Sequence, residues 1–459
     1  MKKMLWGGRF GKGPADETIE FNSSENVRLD EKLIPYDILG SIAHVKMLEK
    51  QGIVKGSEAG EIVSALKAVH SKWEKGGFML KKELEDVHMN VESAVTELTE
   101  NGKKMHTARS RNDQVLLDMR LFIRDGLLQA VEAIETLQGA FAELAKKDGA
   151  MVAYTHTRVA QPITISFWCQ AWAEGLSRDK ERLLDAYKRV NMNPLGACAV
   201  AGTSWKIDRS ETARLLAFEK VQENELDTIS SRGECECEVL SALSISMCRL
   251  SRLSEELIWL SEKGLVSISE EHTTGSSIMP NKKNPDVLEL IRGRSARVYS
   301  NLNHTLVVLK GLMSGYHSDM QETKFAVMSG LEHTIASLRA MSGVIRVIGF
   351  SAKKIGEELE GGFAQATEIA DFLAASGIPF REAHERSGRL VRHCEGKGIT
   401  ISKIRAEEAE SILGTKMGKE KWAQVISLER PRLKRKVAVA GSGIEKEMEK
   451  IESAYRKLL

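Results

Sequence analysis

The chain has 459 residues, 42% of them hydrophobic and 28% charged, with a net charge of +2. That length exceeds what one hydrophobic core usually serves, so two or three domains are expected, and the near-neutral balance excludes a protein drawn by overall charge to nucleic acid or an anionic membrane. No uncharged apolar run reaches the length of a membrane span, the N-terminus lacks the apolar stretch of a secretory signal, and six scattered cysteines suit reduced thiols, so a cytoplasmic location is expected.

In chain order, residues 35–50 and 57–73 carry helical patterns broken by Gly52, Gly56, Gly60, Gly76 and Gly77, which predicts a separate N-terminal helical domain over 1–111. From 114 to 147 apolar residues recur at 116, 119, 123, 127, 131, 134, 137, 141 and 144. That spacing of three and four predicts one amphipathic helix of about 34 residues, roughly 50 Å long. Similar segments run over about 163–190, 235–263, 287–313 and 324–348, and prolines are scarce within them. The expected fold is therefore mainly α, with a central elongated bundle of five long helices over 112–360, and such wide apolar faces suit an oligomer. After Gly361-Gly362 the helices shorten around Gly377-Ile378-Pro379 and Gly396-Lys397-Gly398. A third, small helical domain is expected over 361–459, ending with Ile444, Met448, Ile451, Tyr455 and Leu458 on one face. No internal repeat is evident. The basic cluster Arg430, Arg432, Lys434, Arg435 and Lys436 reads as a solvated face.

Four polar segments sit at or just before helix starts. Gly275-Ser276-Ser277-Ile278-Met279-Pro280-Asn281-Lys282-Lys283-Asn284-Pro285-Asp286 places two ammonium groups at a predicted start with Asn284 as cap, Pro285 as first helical residue and Asp286 in the first turn. A cation there is disfavoured by roughly 0.3–1 kcal/mol, which points to an anionic ligand between the lysines and the helix end. His106-Thr107-Ala108-Arg109-Ser110-Arg111-Asn112-Asp113 brings two arginines to the next helix, capped by Asn112 or Asp113; a guanidinium fork suits a carboxylate. Tyr154-Thr155-His156-Thr157-Arg158 is a polar loop before Pro162, which is expected to open a helix, and its histidine can titrate near neutrality. Residues 316–324 link two long helices and put Gln321 and Lys324 on one face.

Each segment also has a structural reading. The lysine loop can be a solvated turn, the arginines can pair with Asp113 or Asp118, and His156 can be an ordinary hydrogen-bonded loop residue. The last segment can be a turn capped by Ser318 or Asp319. Together they favour a small molecule with several carboxylates, since no glycine run suits a dinucleotide and no aromatic-basic interleaving suits single-stranded nucleic acid. Cys235-Glu236-Cys237 with Cys248 lacks a second paired motif for zinc, so no metal is expected.

The pattern G-S-S-x-M-P-x-K-x-N-P resembles the signature of the fumarase/aspartase superfamily, whose members eliminate a substituent from a substituted succinate and release fumarate. Residues 5–10 (Leu-Trp-Gly-Gly-Arg-Phe), Phe21-Asn22-Ser23-Ser24, Glu85-Asp86-Val87-His88-Met89-Asn90, the 106–114 segment and Gly377-Ile378-Pro379-Phe380-Arg381-Glu382-Ala383-His384 are similar to the argininosuccinate lyase family in particular. The resemblance covers essentially the whole chain. It implies a homotetramer whose long helices merge into one core, with each site built from loops of three subunits, and cleavage of argininosuccinate to arginine and fumarate without cofactor.

By the same resemblance, Ser276 is the base on a mobile loop, assisted by Lys282 and by backbone N–H groups that stabilise its oxyanion form. His156, oriented by Glu289, is the general acid, and the opposite assignment uses the same residues. Asn284 binds near the carboxylate on which charge accumulates. Ser24, Arg111, Asn112 and Thr155 match positions holding substrate carboxylates, while Tyr316, Gln321 and Lys324 match those around the arginine portion and the fumarate end. Asp86 and His88 match supporting positions. Two departures stand out. Asn281 replaces a glutamine or glycine, and residues 228–234 replace a more usual S-D-R-D-like run in a region that helps build the site wall. The alternatives are a lyase of the same superfamily acting on another N-substituted aspartate, and a non-catalytic crystallin-like protein.

Overall fold

A computed structural model describes residues 15–147 and 149–459, so the motif at 5–10 lies outside the described residues. Four helices lead: α1 (Asp16–Asp30), α2 (Ile34–Lys50), α3 (Gly56–Glu74) and α4 (Val87–Leu98). The long helix α5 (Arg111–Leu144) follows, then a hairpin of β1 (Ala150–Thr155) and β2 (Arg158–Thr164), then α6 (Ile165–Val190). Two short helices, α7 (Arg209–Leu215) and α8 (Glu225–Ser230), precede α9 (Glu234–Glu262), α10 (Asp286–Leu309) and α11 (Glu322–Val347). The chain closes with α12 (Ala352–Gly361), α13 (Ala366–Ala375), α14 (Phe380–Lys397), α15 (Ala406–Leu413), α16 (Gly418–Val425) and α17 (Ile444–Leu458).

The five long helices form the expected bundle: α5 packs on α6 and α11, α9 on α6, α10 and α11, and α10 on α11. α5 is buried along most of its length, through Leu117, Leu121, Ile134, Leu137 and Phe141. At roughly 25 cal/mol per Å² of apolar surface, each such side chain contributes about 1.5–3 kcal/mol. α10 is different. It buries a single stripe through Leu288, Ile291, Ser295, Val298, Asn301 and Thr305 and leaves Leu290, Tyr299, Leu306 and Val307 exposed.

One continuous core runs from Leu29 in α1 to Ala364, and α17 joins it through Ile444, Ile451 and Leu458. α17 lies against α2 and α5, where Tyr455 accepts a hydrogen bond from Arg124 at 2.7 Å. A second, smaller core gathers residues of α13 to α16 around Leu373, Leu390, Leu413 and Trp422.

Three helix starts differ from expectation. α5 begins at Arg111 because Ser110, not Asn112 or Asp113, is the cap: its hydroxyl accepts the N–H of Asn112, and Asp113 returns to the Ser110 N–H in a capping box. Pro162 lies in β2, and α6 starts at Ile165 behind a Thr164 cap. Asn284 belongs to a two-residue strand, Pro285 takes the cap position and α10 starts at Asp286. The β1–β2 hairpin also breaks the expectation of uninterrupted helices.

Candidate active site

The segments singled out in the sequence fall into one cavity and two exposed loops. The cavity, about 340 Å³, opens between α1, the starts of α4 and α5, and the segment leading into α11. Arg111, Asn112, Tyr316, Gln321 and Lys324 all line it. Ser23 lines it too, whereas the Ser24 hydroxyl turns to Glu20 within α1.

Each lining group is held from behind. Asp86 caps α4 through the Met89 N–H at 2.8 Å, and with Glu85 it receives Arg111 Nη1 at 2.8 and 3.0 Å. Arg111 is thus paired with acids brought from α4, not with Asp113 or Asp118. Asp113 instead accepts the N–H groups of Gly196 and Cys198 at 2.8 and 2.9 Å, which ties the 194–202 segment to the start of α5. Asn112 then donates to the Ala199 carbonyl in that segment at 3.2 Å. The two arginines of the 106–113 segment part company: Arg109 is buried and donates to Ser41, while Arg111 faces the cavity.

Lys324 is 2% exposed, pairs with buried Asp30, and donates to Asn26 at 2.7 Å. Gln321 donates to the Tyr316 hydroxyl at 3.1 Å, and the Arg232 guanidinium stands 5.6 Å from the Tyr316 ring centre. Arg232 places the unusual 228–234 run in the wall, as expected for that region. The following Gly233 has φ +92°, and a Cβ there would lie 2.6 Å from Leu309, so the turn out of the wall requires glycine. Asn26 and Asp30 were not singled out in the sequence, and Arg232 was marked only as part of the 228–234 run. The spacing of Ser23, Asn26 and Asp30 by three and four, a polar stripe on one face of α1, is the signal that marks two of them.

The second group is the loop closed by Thr274–Gly275 and Lys283–Asn284, paired antiparallel. Ser276 Oγ accepts the N–H groups of Ile278 and Met279 at 3.3 and 3.1 Å. Two donors on that oxygen favour its ionised form. Lys283 pairs with Glu270, and among the described residues Lys282 has no acidic partner. Asn284 donates to the Gly275 carbonyl at 3.4 Å, and Glu289 is exposed in the first turn of α10. Ile278 is 82% exposed at the tip.

The third group is the turn of the β1–β2 hairpin. Thr155 pairs with Arg158, leaving His156 and Thr157 as a two-residue turn with φ of 51° and 58°. Such turns ordinarily take Asn-Gly or Gly-Gly; a β-branched threonine there is a conformational outlier of the kind that concentrates at functional sites. Thr155 and His156 are both exposed. Ser276, Lys282, Asn284, Glu289, Thr155 and His156 therefore lie outside the cavity wall within one chain.

Residues 8–300 match the family model described as "Lyase", and residues 363–431 match "Argininosuccinate lyase C-terminal". Proteins named argininosuccinate lyase include one from Syntrophus aciditrophicus, 46% identical over 89% of this chain and 87% of its own, and one from Lactococcus lactis subsp. cremoris, 41% identical over the full length of both. Among solved structures, an EDDS lyase in complex with formate is 26% identical with TM-score 0.79, covering 97% of this chain and 92% of its own. A class II fumarase from Schistosoma mansoni shares the fold at 16% identity and TM-score 0.74, over 88% of this chain and 90% of its own. The family model over residues 8–300 and the shared fold make the chain a lyase. The chain belongs to the argininosuccinate lyase family.

Proposed function

We propose that this protein catalyses the reversible β-elimination of argininosuccinate to arginine and fumarate, in arginine biosynthesis. The observation that carries the reading is the Ser276 loop. It offers a serine oxygen two backbone donors beside an ammonium, Lys282, that has no acidic partner among the described residues. Ser276 abstracts the proton from the succinyl carbon beside a carboxylate. Lys282 and Asn284 stabilise the dianionic aci-carboxylate that results, the largest available contribution to rate. His156, oriented by Glu289, protonates the departing guanidino nitrogen. Arg111, Asn112, Ser24 and Thr155 hold carboxylates, and Tyr316, Gln321 and Lys324 hold the rest of the substrate.

The separation of these groups within one chain supports sites shared between subunits of a homotetramer in the cytoplasm. So does the exposed apolar face of α10, which a second copy would bury. In this reading residues 112–360 supply the bundle that assembles, 1–111 most of the cavity wall, and 361–459 a small C-terminal unit whose last helix, α17, docks back on the main core. No helix among the described residues is long and apolar enough to cross a membrane. The test is the ultraviolet absorbance of fumarate on adding argininosuccinate, with arginine formed in equal amount. The EDDS lyase likeness gives a second reading, elimination from another N-substituted aspartate, and fumarate released only from such a substrate would select it.

A further inference from the structure

His88, near the start of α4, forms part of the cavity wall although it is only 4% exposed. Its Nδ1 meets Asp37 Oδ1 of α2 at 2.7 Å, and Asp118 Oδ2 of α5 lies 3.5 Å from the same nitrogen. Gln114 donates to the same Asp37 oxygen at 2.6 Å. Both oxygens of Asp118 are buried and, among the described residues, without a hydrogen-bond donor.

The Asp37 carboxylate fixes the ring orientation, and the Asp118 carboxyl packs behind the same nitrogen. Burial, and then Asp37, push the Asp118 carboxyl well up, while Arg109 and Lys324 oppose the shift and Asp30 adds to it. Burial is the largest single influence on Asp37 and raises it, but the hydrogen bond and charge of His88, with Arg109 and Gln114, together hold it below the usual range. The same three side chains could gather around a metal ion, but Arg109 and Lys324 already supply positive charge at that point. With Nδ1 committed inward, Nε2 is the nitrogen left to the cavity, and among the described residues it has no hydrogen-bond partner.

The wall carries both signs: Arg111, Arg232 and Lys324 against Asp30, Glu85, Asp86 and Glu322. A dicarboxylate such as fumarate meets repulsion from those acids. The ammonium and carboxylate of an amino acid find a partner each. That mixed lining suits the leaving half of the substrate.

We propose that His88, presented by Asp37 and Asp118, is a binding residue for the α-carboxylate of the leaving arginine. This rests on the elimination reading above. The test compares product inhibition by arginine and by fumarate in His88→Asn. The arginine inhibition constant is expected to rise about tenfold, the loss of one hydrogen bond to a charged group, with fumarate changed less than about twofold. An equal rise for both products, or a rise for fumarate alone, overturns the proposal. Should His88→Asn fail to fold, Asp37→Asn keeps the ring and removes the charge of the group that orients it. It is then expected to weaken arginine selectively by about threefold, and no selective change overturns the proposal. A wild-type protein inactive on argininosuccinate would instead defeat the reaction reading. Calorimetric binding of arginine to wild type and His88→Asn would still decide the role of the ring.

Discussion

The cavity and the two exposed loops divide the work of the site in opposite ways. In the cavity nearly every polar group is held in place: Arg111 by Glu85 and Asp86, Lys324 by Asp30, Asn112 by the Ala199 carbonyl. The Ser276 loop and the His156 turn stand in solvent, and their anchors are mostly local backbone contacts. Groups that recognise substrate gain from being fixed in advance, because ordering them on binding would reduce affinity. Groups that move protons must reach a substrate already seated, so exposure in the free chain is compatible with their role. On the proposed reading, the difference places recognition in the fold of one chain and chemistry in what approaches it.

The largest effect that would break this division is at Ser276. Ser276→Ala is expected to lower kcat by about 10³-fold or more with KM little changed, followed by fumarate absorbance. A matching rise in KM would mean that the loop also binds. Next, a mixture of His156→Ala and Ser276→Ala proteins allowed to exchange subunits should regain on the order of a quarter of wild-type activity, since some mixed sites receive both intact groups. No recovery after confirmed exchange would place both loops in one site of one chain.

On the cavity side, Asp30→Asn leaves Lys324 buried without its counter-ion. It should lower stability by about 3–5 kcal/mol in chemical denaturation. A loss below about 1 kcal/mol would show that the pair is more hydrated than its burial implies.

The smallest effect sharpens the picture of how the cavity is anchored. His44 is fully buried against the Thr107 carbonyl at 2.8 Å, and burial, with Arg109 nearby, lowers its pKa to about 3. The unfolded chain takes up that proton near pH 6.5 and the folded chain does not, so this contribution is complete above pH 6.5 and is lost as pH falls toward 3. Between pH 6.5 and 5 it amounts to about 2 kcal/mol, and His44→Gln should lose that much less stability than wild type over the same interval.

The long helices were legible because their apolar residues recur every three to four positions over many turns, and α5 has the predicted length shifted by three residues. The shift arose because Ser110, Asn112 and Asp113 are all good caps, and only the packing of Asp113 against Gly196 and Cys198 decides among them. The hairpin was hidden because its turn carries His156 and Thr157, residues that do not announce a tight turn. Arg111, Tyr316, Gln321 and Lys324 were found through family motifs and do meet in the cavity. Asp30 was not, because its role depends on Lys324, a partner distant in sequence that no local pattern links to it.

The His156 turn sets a limit on how far this enzyme can be stabilised. A left-handed conformation costs a non-glycine residue roughly 1–2 kcal/mol, and glycine at either turn position would relieve it. At position 157 that exchange loosens the aim of the neighbouring imidazole; at position 156 it removes the imidazole. A hairpin that carries His-Thr therefore holds its imidazole more firmly than a glycine turn would, at the expense of stability.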